Sequence, residues 1–206
     1  MIPGVVLAAG AATRIGQPKA LLPTGVGRET FLGRIVTTLH DAGLDDVVVV
    51  VAPGGGADEV RQLLATLPVL ARVVENPHPE RGQLSSLLTA LAAVDHPGVR
   101  ALLVTLVDVP FVTADTVRAL VAAYRRSHAP VVRPSRHGQH GHPVIFDRAV
   151  FDALRHADPA TGAKGVVRAQ GTAVLDVAVE DKGAFLDIDT PEDYAGATGR
   201  SLPGGA

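Results

Sequence analysis

Residues 46–51 read Asp-Val-Val-Val-Val-Val, and this run of valines decides the class of fold. An uninterrupted β-branched run of this length is typical of a strand that is buried on both faces of a parallel sheet. On either side of it, short β-branched runs alternate with longer amphipathic stretches. This alternation predicts βαβ units, and therefore an α/β fold with a mostly parallel central sheet and helices on both faces. A hairpin-like stretch over residues 130–146 predicts a small antiparallel insertion.

The predicted elements cover most of the chain. Strands are expected at residues 2–8, 46–51, 72–75, 100–106, 130–133, 143–146, 174–178 and 186–188. Helices are expected at residues 30–42, 57–67, 84–94, 114–127, 149–156 and 162–170, and a last helix starts at Thr190-Pro191-Glu192. We expect a single domain over residues 1–197 and a flexible C-terminal tail over residues 198–206. Because ligands of open α/β sheets bind at the carboxyl ends of the strands, the loops after Ala8, Leu106 and Ile188 are expected to carry the chemistry.

Composition excludes several functional classes. The chain has 206 residues and no cysteine, which excludes disulfides, thiolate metal sites and cysteine nucleophiles. Its 19 basic and 21 acidic residues give a net charge of −2, and only 3% of the residues are aromatic, so we expect no nucleic-acid partner and no membrane partner. No run approaches the roughly 18 apolar residues of a membrane span, and we recognise no targeting signal, so we expect a cytoplasmic protein.

The loop after the first predicted strand is rich in small residues and carries two cations. It reads Leu7-Ala8-Ala9-Gly10-Ala11-Ala12-Thr13-Arg14-Ile15-Gly16-Gln17-Pro18-Lys19. Small residues let backbone N–H groups approach phosphate oxygens, while Arg14 offers a planar fork and Lys19 a mobile charge. The loop matches neither the dinucleotide-binding fingerprint nor the P-loop. The residues alone leave two interpretations, a triphosphate-binding loop and a small-residue turn with two solvated cations.

Five segments of the chain, taken in order, carry a resemblance to a known family. They are Leu7-Ala8-Ala9-Gly10 with Arg14, Gly16, Pro18-Lys19 and Leu21-Leu22; Asn76-Pro77 with Gly82-Gln83-Leu84-Ser85-Ser86-Leu87; Leu106-Val107-Asp108-Val109-Pro110-Phe111; Gly141-His142-Pro143 with Phe146; and Asp187-Ile188-Asp189-Thr190-Pro191-Glu192-Asp193-Tyr194. Together they resemble the nucleotidyltransferases related to the molybdenum-cofactor guanylyl- and cytidylyltransferases. The resemblance covers residues 2–194 and implies a three-layer α/β/α, Rossmann-like nucleotidyltransferase fold that is GT-A-like. The chain departs from the family pattern at Ala12, Ile15 and Val109, and Ala12 adds a methyl group where the backbone approaches the ligand.

Three carboxylates are candidates for a metal site. Asp108 follows the predicted strand at residues 100–106, where a carboxylate can hold Mg²⁺ together with substrate phosphates; a turn-forming Asp is the alternative. Asp189 precedes a helix start at Thr190, so it could merely flank that cap, but the family resemblance implies a second metal-side carboxylate there. Asp187 falls on the opposite face of the predicted strand at residues 186–188 and ranks below Asp189.

Two further segments are candidates for substrate recognition. Gly82, Gln83, Ser85 and Ser86 open a predicted helix, where their polar groups could bind a nucleobase edge or simply cap the helix. The double serine is similar to the cytidylyltransferase branch, which favours CTP over GTP.

A polar loop over residues 135–142 contains His137, His140 and His142. Its histidine spacing has no helix to present it, so it is not typical of a metal site. A solvated loop is one interpretation, and recognition of an anionic second substrate by Arg133, Arg136 and His142 is the other.

The resemblance implies a Mg²⁺-dependent enzyme that transfers CMP from CTP to the terminal phosphate of molybdopterin cofactor and releases pyrophosphate. It implies catalytic roles for Arg14, Lys19 and Asp108. The implied nucleotide-binding residues are Leu7, Ala8, Ala9, Gly10, Arg14, Lys19, Gly82, Gln83, Ser85 and Ser86. A molybdenum hydroxylase apoprotein is a further expected partner. Two alternatives stay open: the same chemistry on a sugar phosphate or another cofactor, and a non-catalytic maturation partner that binds molybdenum cofactor.

Overall fold

The computed structural model describes residues 1–10, 15–54 and 56–203. Within these residues, eight strands form one sheet: β1 (Gly4–Leu7), β2 (Val47–Val51), β3 (Arg72–Glu75), β4 (Ala101–Leu106), β5 (Val131–Arg136), β6 (Gln139–His140), β7 (Val144–Asp147) and β8 (Val174–Ala178). The strand order is β3-β2-β1-β4-β7-β5-β6, and β8 pairs with β5. Strands β1 to β4 pair in parallel, whereas β7 runs antiparallel to both β4 and β5. The predicted mostly parallel sheet with a small antiparallel insertion is therefore confirmed.

Helices cover both faces of the sheet. They are α1 (Phe31–Asp41), α2 (Ala57–Ala65), α3 (Gln83–Val94), α4 (Ala114–Ser127), α5 (Phe151–Arg155), α6 (Gly162–Ala169) and α7 (Pro191–Thr198). All five valines of β2 are buried, and they alternate between two cores. Val47, Val49 and Val51 pack with residues of α1, α2 and α4, while Val48 and Val50 pack with residues of α3, α5 and α6. This division gives the three-layer α/β/α architecture.

One predicted strand is wrong. Residues 186–188 follow a 3₁₀ turn at Lys182–Phe185 and form no strand. Instead, Ile188 N donates a hydrogen bond to Asp108 O at 2.8 Å, so this segment lies over the loop that follows β4. The alternation that placed Asp187 on an opposite sheet face therefore does not apply.

Residues 181–189, called here the acidic segment, are held between two loops. At the start of the segment, the Asp181 carboxylate accepts hydrogen bonds from Thr113 N and from Thr116 Oγ1, each at 2.8 Å. Two residues further on, Gly183 lies so close to the Phe111 carbonyl that a Cβ would come within 2.0 Å of its oxygen. These contacts fix the segment against the loop that connects β4 to α4.

The loop before β7 holds the other side of the acidic segment. A Cβ on Gly141 would lie 2.0 Å from Ala184 O, and His142 N donates a hydrogen bond to the same oxygen at 2.9 Å. Two glycines thus allow two backbone segments to pack against the acidic segment at close range, which aims its carboxylates at the carboxyl edge of the sheet.

A small apolar cluster, called here the edge cluster, lies beside this segment. Its buried members are Ile15, Leu22, Phe31, Ile188 and Tyr194, with Phe111, Ala197 and Leu202 packed against them. Gln17 Nε2 also donates a hydrogen bond to Pro203 O at 3.1 Å. Residues of the expected tail therefore contact the first loop, while the flexibility of residues 198–206 stays a prediction.

A search of the described helices for a bilayer-crossing segment finds none with the necessary length and apolar composition.

Replacing Gly183 by Ala is expected to lower the melting temperature by several degrees. The added Cβ would overlap a backbone oxygen, and overpacking of this kind costs about 1–3 kcal/mol. Gly196→Ala in α7 is the matched control, because a Cβ there meets nothing within 4 Å, and the substitution should leave the melting temperature unchanged or raise it. Equal melting temperatures for both variants, measured by calorimetry, would contradict the close packing of the acidic segment.

Candidate functional site

The centre of the candidate site is a lysine between two carboxylates. Lys19 starts the 3₁₀ turn Lys19–Leu21, and Asp108 lies two residues beyond the end of β4. Lys19 Nζ lies 2.5 Å from Asp189 Oδ1 and 3.4 Å from Asp108 Oδ2. The structure thus brings together three residues that the sequence analysis had singled out from three separate segments.

Asp108 carries a charge in an unfavourable place. Burial raises the pKa of Asp108 above its usual value, the Lys19 ammonium opposes the rise, and Asp187 and Asp189 add to it. Its Oδ1 atom is buried and has no hydrogen-bond partner among the described residues. An ionised carboxylate with an unpaired buried oxygen is costly unless a ligand or cation completes it.

Asp187 also belongs to this site. Its negative charge raises the pKa of Asp108 and that of His142, so it acts on both groups from the acidic segment. The sequence analysis ranked Asp187 below Asp189 because it assumed strand alternation, and the extended loop at residues 186–189 removes that assumption. The carboxylate of Asp108 is therefore repelled by two further carboxylates, those of Asp187 and Asp189.

His142 lies next to these carboxylates with one ring nitrogen unpaired. Burial lowers the pKa of His142, which favours the neutral imidazole, and Asp187 opposes this shift. Its Nδ1 atom is buried and has no hydrogen-bond partner in the described part of the chain. His142, which was predicted to bind the second substrate, therefore lies at the same edge of the sheet as Asp108.

The donor set fits a divalent cation that is completed by substrate. The search for three or more clustered His, Asp or Glu ligands finds no such group within residues 1–10, 15–54 and 56–203. Mg²⁺, however, is usually held by one or two carboxylates together with substrate phosphates and water. Asp108, with its unpaired Oδ1 atom, meets that requirement, and a neighbouring cation would relieve the repulsion among the three carboxylates.

The start of the first loop, residues 7–10, carries only apolar side chains or none. Leu7 and Ala9 are buried in the core, and Ala8 N donates a hydrogen bond to Val50 O at 2.8 Å. Gly10 is exposed at the end of this quartet, with nothing within 4 Å of the position of a Cβ. The predicted catalytic residue Arg14 lies outside the described residues.

Ser85 and Ser86 are tied to a neighbouring side chain. Asn76 Nδ2 donates hydrogen bonds to Ser85 Oγ at 2.8 Å and to Ser86 Oγ at 3.0 Å, and Ser86 is buried. Ser85 Oγ in turn lies 2.9 Å from His78 O and 2.8 Å from Gly82 O, either of which can accept its single proton. These bonds fix the start of α3 beside β3, which is a structural role for the feature that favoured CTP.

Gly82 and Gln83 lie at the beginning of α3 and are exposed. Gly82 has a φ of 83°, a conformation that glycine adopts readily, and no side chain caps the helix. In the described structure, Gly82 and Gln83 are therefore accessible to a ligand, whereas Ser86 is buried.

Arg133, the other residue predicted to bind the second substrate, already has hydrogen-bond partners within the chain. Its Nε atom donates to Asp176 Oδ1 at 2.7 Å, across the parallel pairing of β5 with β8, and its Nη2 atom lies 3.0 Å from His140 Nε2. Arg136 pairs similarly with Glu180, at 3.3 Å. Both arginines that were predicted to recognise the second substrate are therefore already held in ion pairs.

Sequence reasoning missed two residues that organise the site. Asn76 was part of a matching segment but had no assigned role, and its 1% exposure identifies it as a buried connector. Tyr194 was quoted only as the end of the acidic motif, and it is buried in the edge cluster. A buried amide after a strand and a lone aromatic in a polar helix are the signals that could have identified them.

Comparison with known proteins shows the family of this chain. The family model described as the MobA-like NTP transferase domain matches residues 4–174. The chain belongs to the MobA-like NTP transferase family. The match contains β1 to β7, Lys19 and Asp108, and it ends before the acidic segment.

Relatives within the family carry consistent names. A protein of Mycobacterium bovis, strain BCG Pasteur, named probable molybdenum cofactor guanylyltransferase, is 35% identical over 131 residues, which is 64% of this chain and 60% of that protein. The alignment thus spans less than two thirds of the mycobacterial relative. A protein of the same name from Pelotomaculum thermopropionicum is 28% identical over 94% of this chain and 90% of its own length.

Solved structures share the whole fold. The crystal structure of Rv0371c from Mycobacterium tuberculosis H37Rv has a TM-score of 0.81 and 31% identity, covering 97% of this chain and 98% of that chain. A crystal structure of Rv0371c in complex with manganese has a TM-score of 0.73 at 31% identity, covering 96% and 98%.

Asp108→Asn is expected to raise the melting temperature at neutral pH in metal-free buffer. The folded-state pKa of Asp108 lies above that of the unfolded chain, so the ionised carboxylate lowers stability at neutral pH. The advantage of the variant should shrink as the pH falls through the folded-state pKa and vanish below the unfolded one. Melting curves of both proteins from about pH 7 to about pH 3.5 measure this dependence.

Asp95→Asn is the control with the opposite sign. Hydrogen bonding to Arg155, helped by Arg148, holds the pKa of Asp95 below its usual value, so its ionised form adds stability that is lost in acid. This variant should melt below the parent at neutral pH, and the difference should fade as the pH falls. Shifts of the same sign for both variants would contradict the strained charge at Asp108.

Proposed function

We propose that this chain is a nucleotidyltransferase that moves a nucleoside monophosphate from a nucleoside triphosphate to a phosphate of molybdopterin cofactor and releases pyrophosphate. The observation that carries the proposal is the Lys19 ammonium between Asp108 and Asp189, with the buried Asp108 Oδ1 atom unpaired. The family match supports the same chemistry.

A divalent cation fits the acidic part of the site, with Asp108 as its main protein ligand and Asp189 as the second. When bound, it would supply positive charge that neutralises negative charge developing on the transferring phosphates. The manganese complex of Rv0371c supports a divalent cation as cofactor, and Mg²⁺ is our proposal for this chain.

The chain itself would act by position and charge. The ammonium group of Lys19 would lie where the departing pyrophosphate gathers negative charge. We propose Arg14 as a second positively charged side chain on the same loop. No protein nucleophile is required, because the acceptor phosphate attacks the α-phosphorus and the bond to pyrophosphate breaks. Gly10, at the end of the described part of the first loop, and the open start of α3 at Gly82 and Gln83 would seat the nucleotide.

The acceptor would lie on the side of His142. The Nδ1 atom of His142 is buried without a hydrogen-bond partner among the described residues, and Asp108 and Asp187 both act electrostatically on the same ring, so a polar group of the acceptor would supply the missing partner. Arg133 would contribute only if the acceptor competes with Asp176 for its guanidinium. A molybdenum hydroxylase apoprotein as the recipient of the product stays a prediction.

Two nucleotides are candidates as donor. The names of the curated relatives favour GTP. The resemblance of residues 82–87 to the cytidylyltransferase branch favours CTP, although the structure gives Ser85 and Ser86 internal hydrogen-bond partners.

Lys19→Ala and Asp108→Ala are each expected to lower kcat for pyrophosphate release by about a hundredfold or more, because each removes charge from the transferring phosphates. The assay combines molybdopterin cofactor, a nucleoside triphosphate and Mg²⁺ or Mn²⁺, and far-UV circular dichroism checks folding. Near-normal turnover by either variant would contradict the proposed role.

The matched controls are Arg155→Ala and Asp152→Ala, which remove a cation and a carboxylate from an exposed pair 2.6 Å apart on α5. Both should keep turnover near that of the parent. Pyrophosphate release with a sugar phosphate but not with molybdopterin cofactor would move the activity to another acceptor. Binding of the cofactor without any pyrophosphate release would leave a maturation partner.

A thermal-shift panel of GTP, CTP, ATP and UTP, each with and without Mg²⁺, is expected to show a rise in melting temperature for GTP or CTP with metal. A ligand that binds only the folded state must stabilise it. A rise with CTP alone would support the cytidylyl assignment, and a rise with GTP alone the guanylyl one. A flat response to all four nucleotides would contradict the proposed function.

A further inference from the structure

A hydrogen bond connects two segments of the candidate site that are far apart in the chain. Tyr194 lies in α7 and is 1% exposed, and its hydroxyl donates to Pro23 O at 3.0 Å. Pro23 follows the turn that carries Lys19, whereas Tyr194 follows the segment that carries Asp189. The bond therefore joins the two backbones whose side chains meet in the Lys19–Asp189 ion pair.

The connection from Tyr194 back to Asp189 is rigid. Tyr194 N donates to Thr190 O at 3.0 Å within the first turn of α7. The Asp193 carboxylate accepts hydrogen bonds from Thr190 N at 2.9 Å and from Asp189 N at 3.2 Å. A reciprocal capping arrangement thus holds the backbone of Asp189 to the same helix as Tyr194.

Few residues separate Pro23 from Lys19, and backbone hydrogen bonds hold that stretch. Leu22 N donates to Lys19 O at 3.1 Å, and Leu22 O accepts from Phe31 N at 2.8 Å. The Phe31 ring lies 6.0 Å from the Tyr194 ring. Backbone bonds and ring packing therefore form a closed path from Lys19 through Pro23 and Tyr194 to Asp189.

The Lys19–Asp189 ion pair needs backbones that are held in place, because the two side chains do not by themselves fix the distance between their charged groups. The Lys19 side chain has four rotatable bonds, and Asp189 is nearly half exposed, at 46%. Pairs of this kind hold little free energy by themselves. The geometry of the pair must come from the backbones that carry it.

We propose that Tyr194 is a positioning residue, whose hydroxyl sets the distance between the Lys19 turn and the acidic segment. The inference rests on the proposed function for its consequence, which is that loss of the hydroxyl impairs transfer. Its direct effect rests on the structure alone: without the Tyr194 hydroxyl, the Lys19 ammonium is held less tightly.

Tyr194→Phe tests the proposal against a control that the chain supplies. The sequence contains two tyrosines, and the other one, Tyr124, is also buried and also donates its hydroxyl to a backbone carbonyl, Arg100 O, at 3.0 Å. The single proton of the Tyr124 hydroxyl is shared with Asp147 Oδ2, at 2.5 Å, so Tyr124→Phe should destabilise the fold at least as much as Tyr194→Phe. It leaves the candidate site intact.

We expect Tyr194→Phe to lower kcat/KM for the nucleotide by about fivefold, the factor that corresponds to one neutral hydrogen bond. Tyr124→Phe should keep the kcat/KM of the parent despite its lower melting temperature. Equal kcat/KM for Tyr194→Phe and the parent would overturn the proposal, as would equal losses in both variants, since the bond would then act only through stability.

A second readout does not depend on transfer. The Lys19 side chain is only 15% exposed and is held by two carboxylates, whereas the other two lysines, Lys164 and Lys182, are exposed. Limited acylation followed by mass spectrometry should show faster modification of Lys19 in Tyr194→Phe than in the parent or in Tyr124→Phe. Lys164 and Lys182 serve as internal standards in each sample.

The two readouts separate the possible failures. Faster acylation of Lys19 without transfer by any of the proteins would refute the proposed function and keep the positioning role. Unchanged acylation in a folded Tyr194→Phe would overturn the positioning role whatever the activity. Loss of folding in Tyr194→Phe alone would also overturn it, because the hydroxyl would then be needed for stability rather than for position.

Discussion

The candidate site depends on one lysine that meets two carboxylates, 89 and 170 positions away along the chain. Such a meeting requires a frame that the side chains cannot provide, because partly exposed ion pairs contribute little free energy. The parallel strands β1 and β4 provide the first part of that frame by ending at one edge of the sheet. The acidic segment provides the second part, since Gly141 and Gly183 let it pack between two loops at that edge.

The architecture could be predicted from the sequence because its pattern is strong. A run of five valines leaves little choice except a strand with both faces covered, and the two cores around β2 realise that pattern. The strand predicted at residues 186–188 failed for a physical reason. Alternation shows which side chains seek apolar neighbours, and Ile188 finds them in the edge cluster instead of in a sheet.

The site was predictable in its charged residues and not in their partners. Asp108 and Lys19 could be identified because they follow strands of an α/β sheet, where ligands gather. A sequence shows that Ser85 has a hydroxyl group, but it does not show that Asn76 already bonds to it. The pairing of Arg133 with Asp176 likewise depends on the register of β5 and β8, which no local pattern specifies.

The chain order of these parts divides the candidate site between two stretches of the sequence. The acidic segment and α7 come after every strand of the sheet, and the family match at residues 4–174 ends before them. Lys19 and Asp108 therefore lie in the part of the chain that builds the sheet, whereas Asp189 lies in the part that follows it. Removing residues 181–203 would leave every strand in the sequence and take away one of the two carboxylates that hold the Lys19 ammonium.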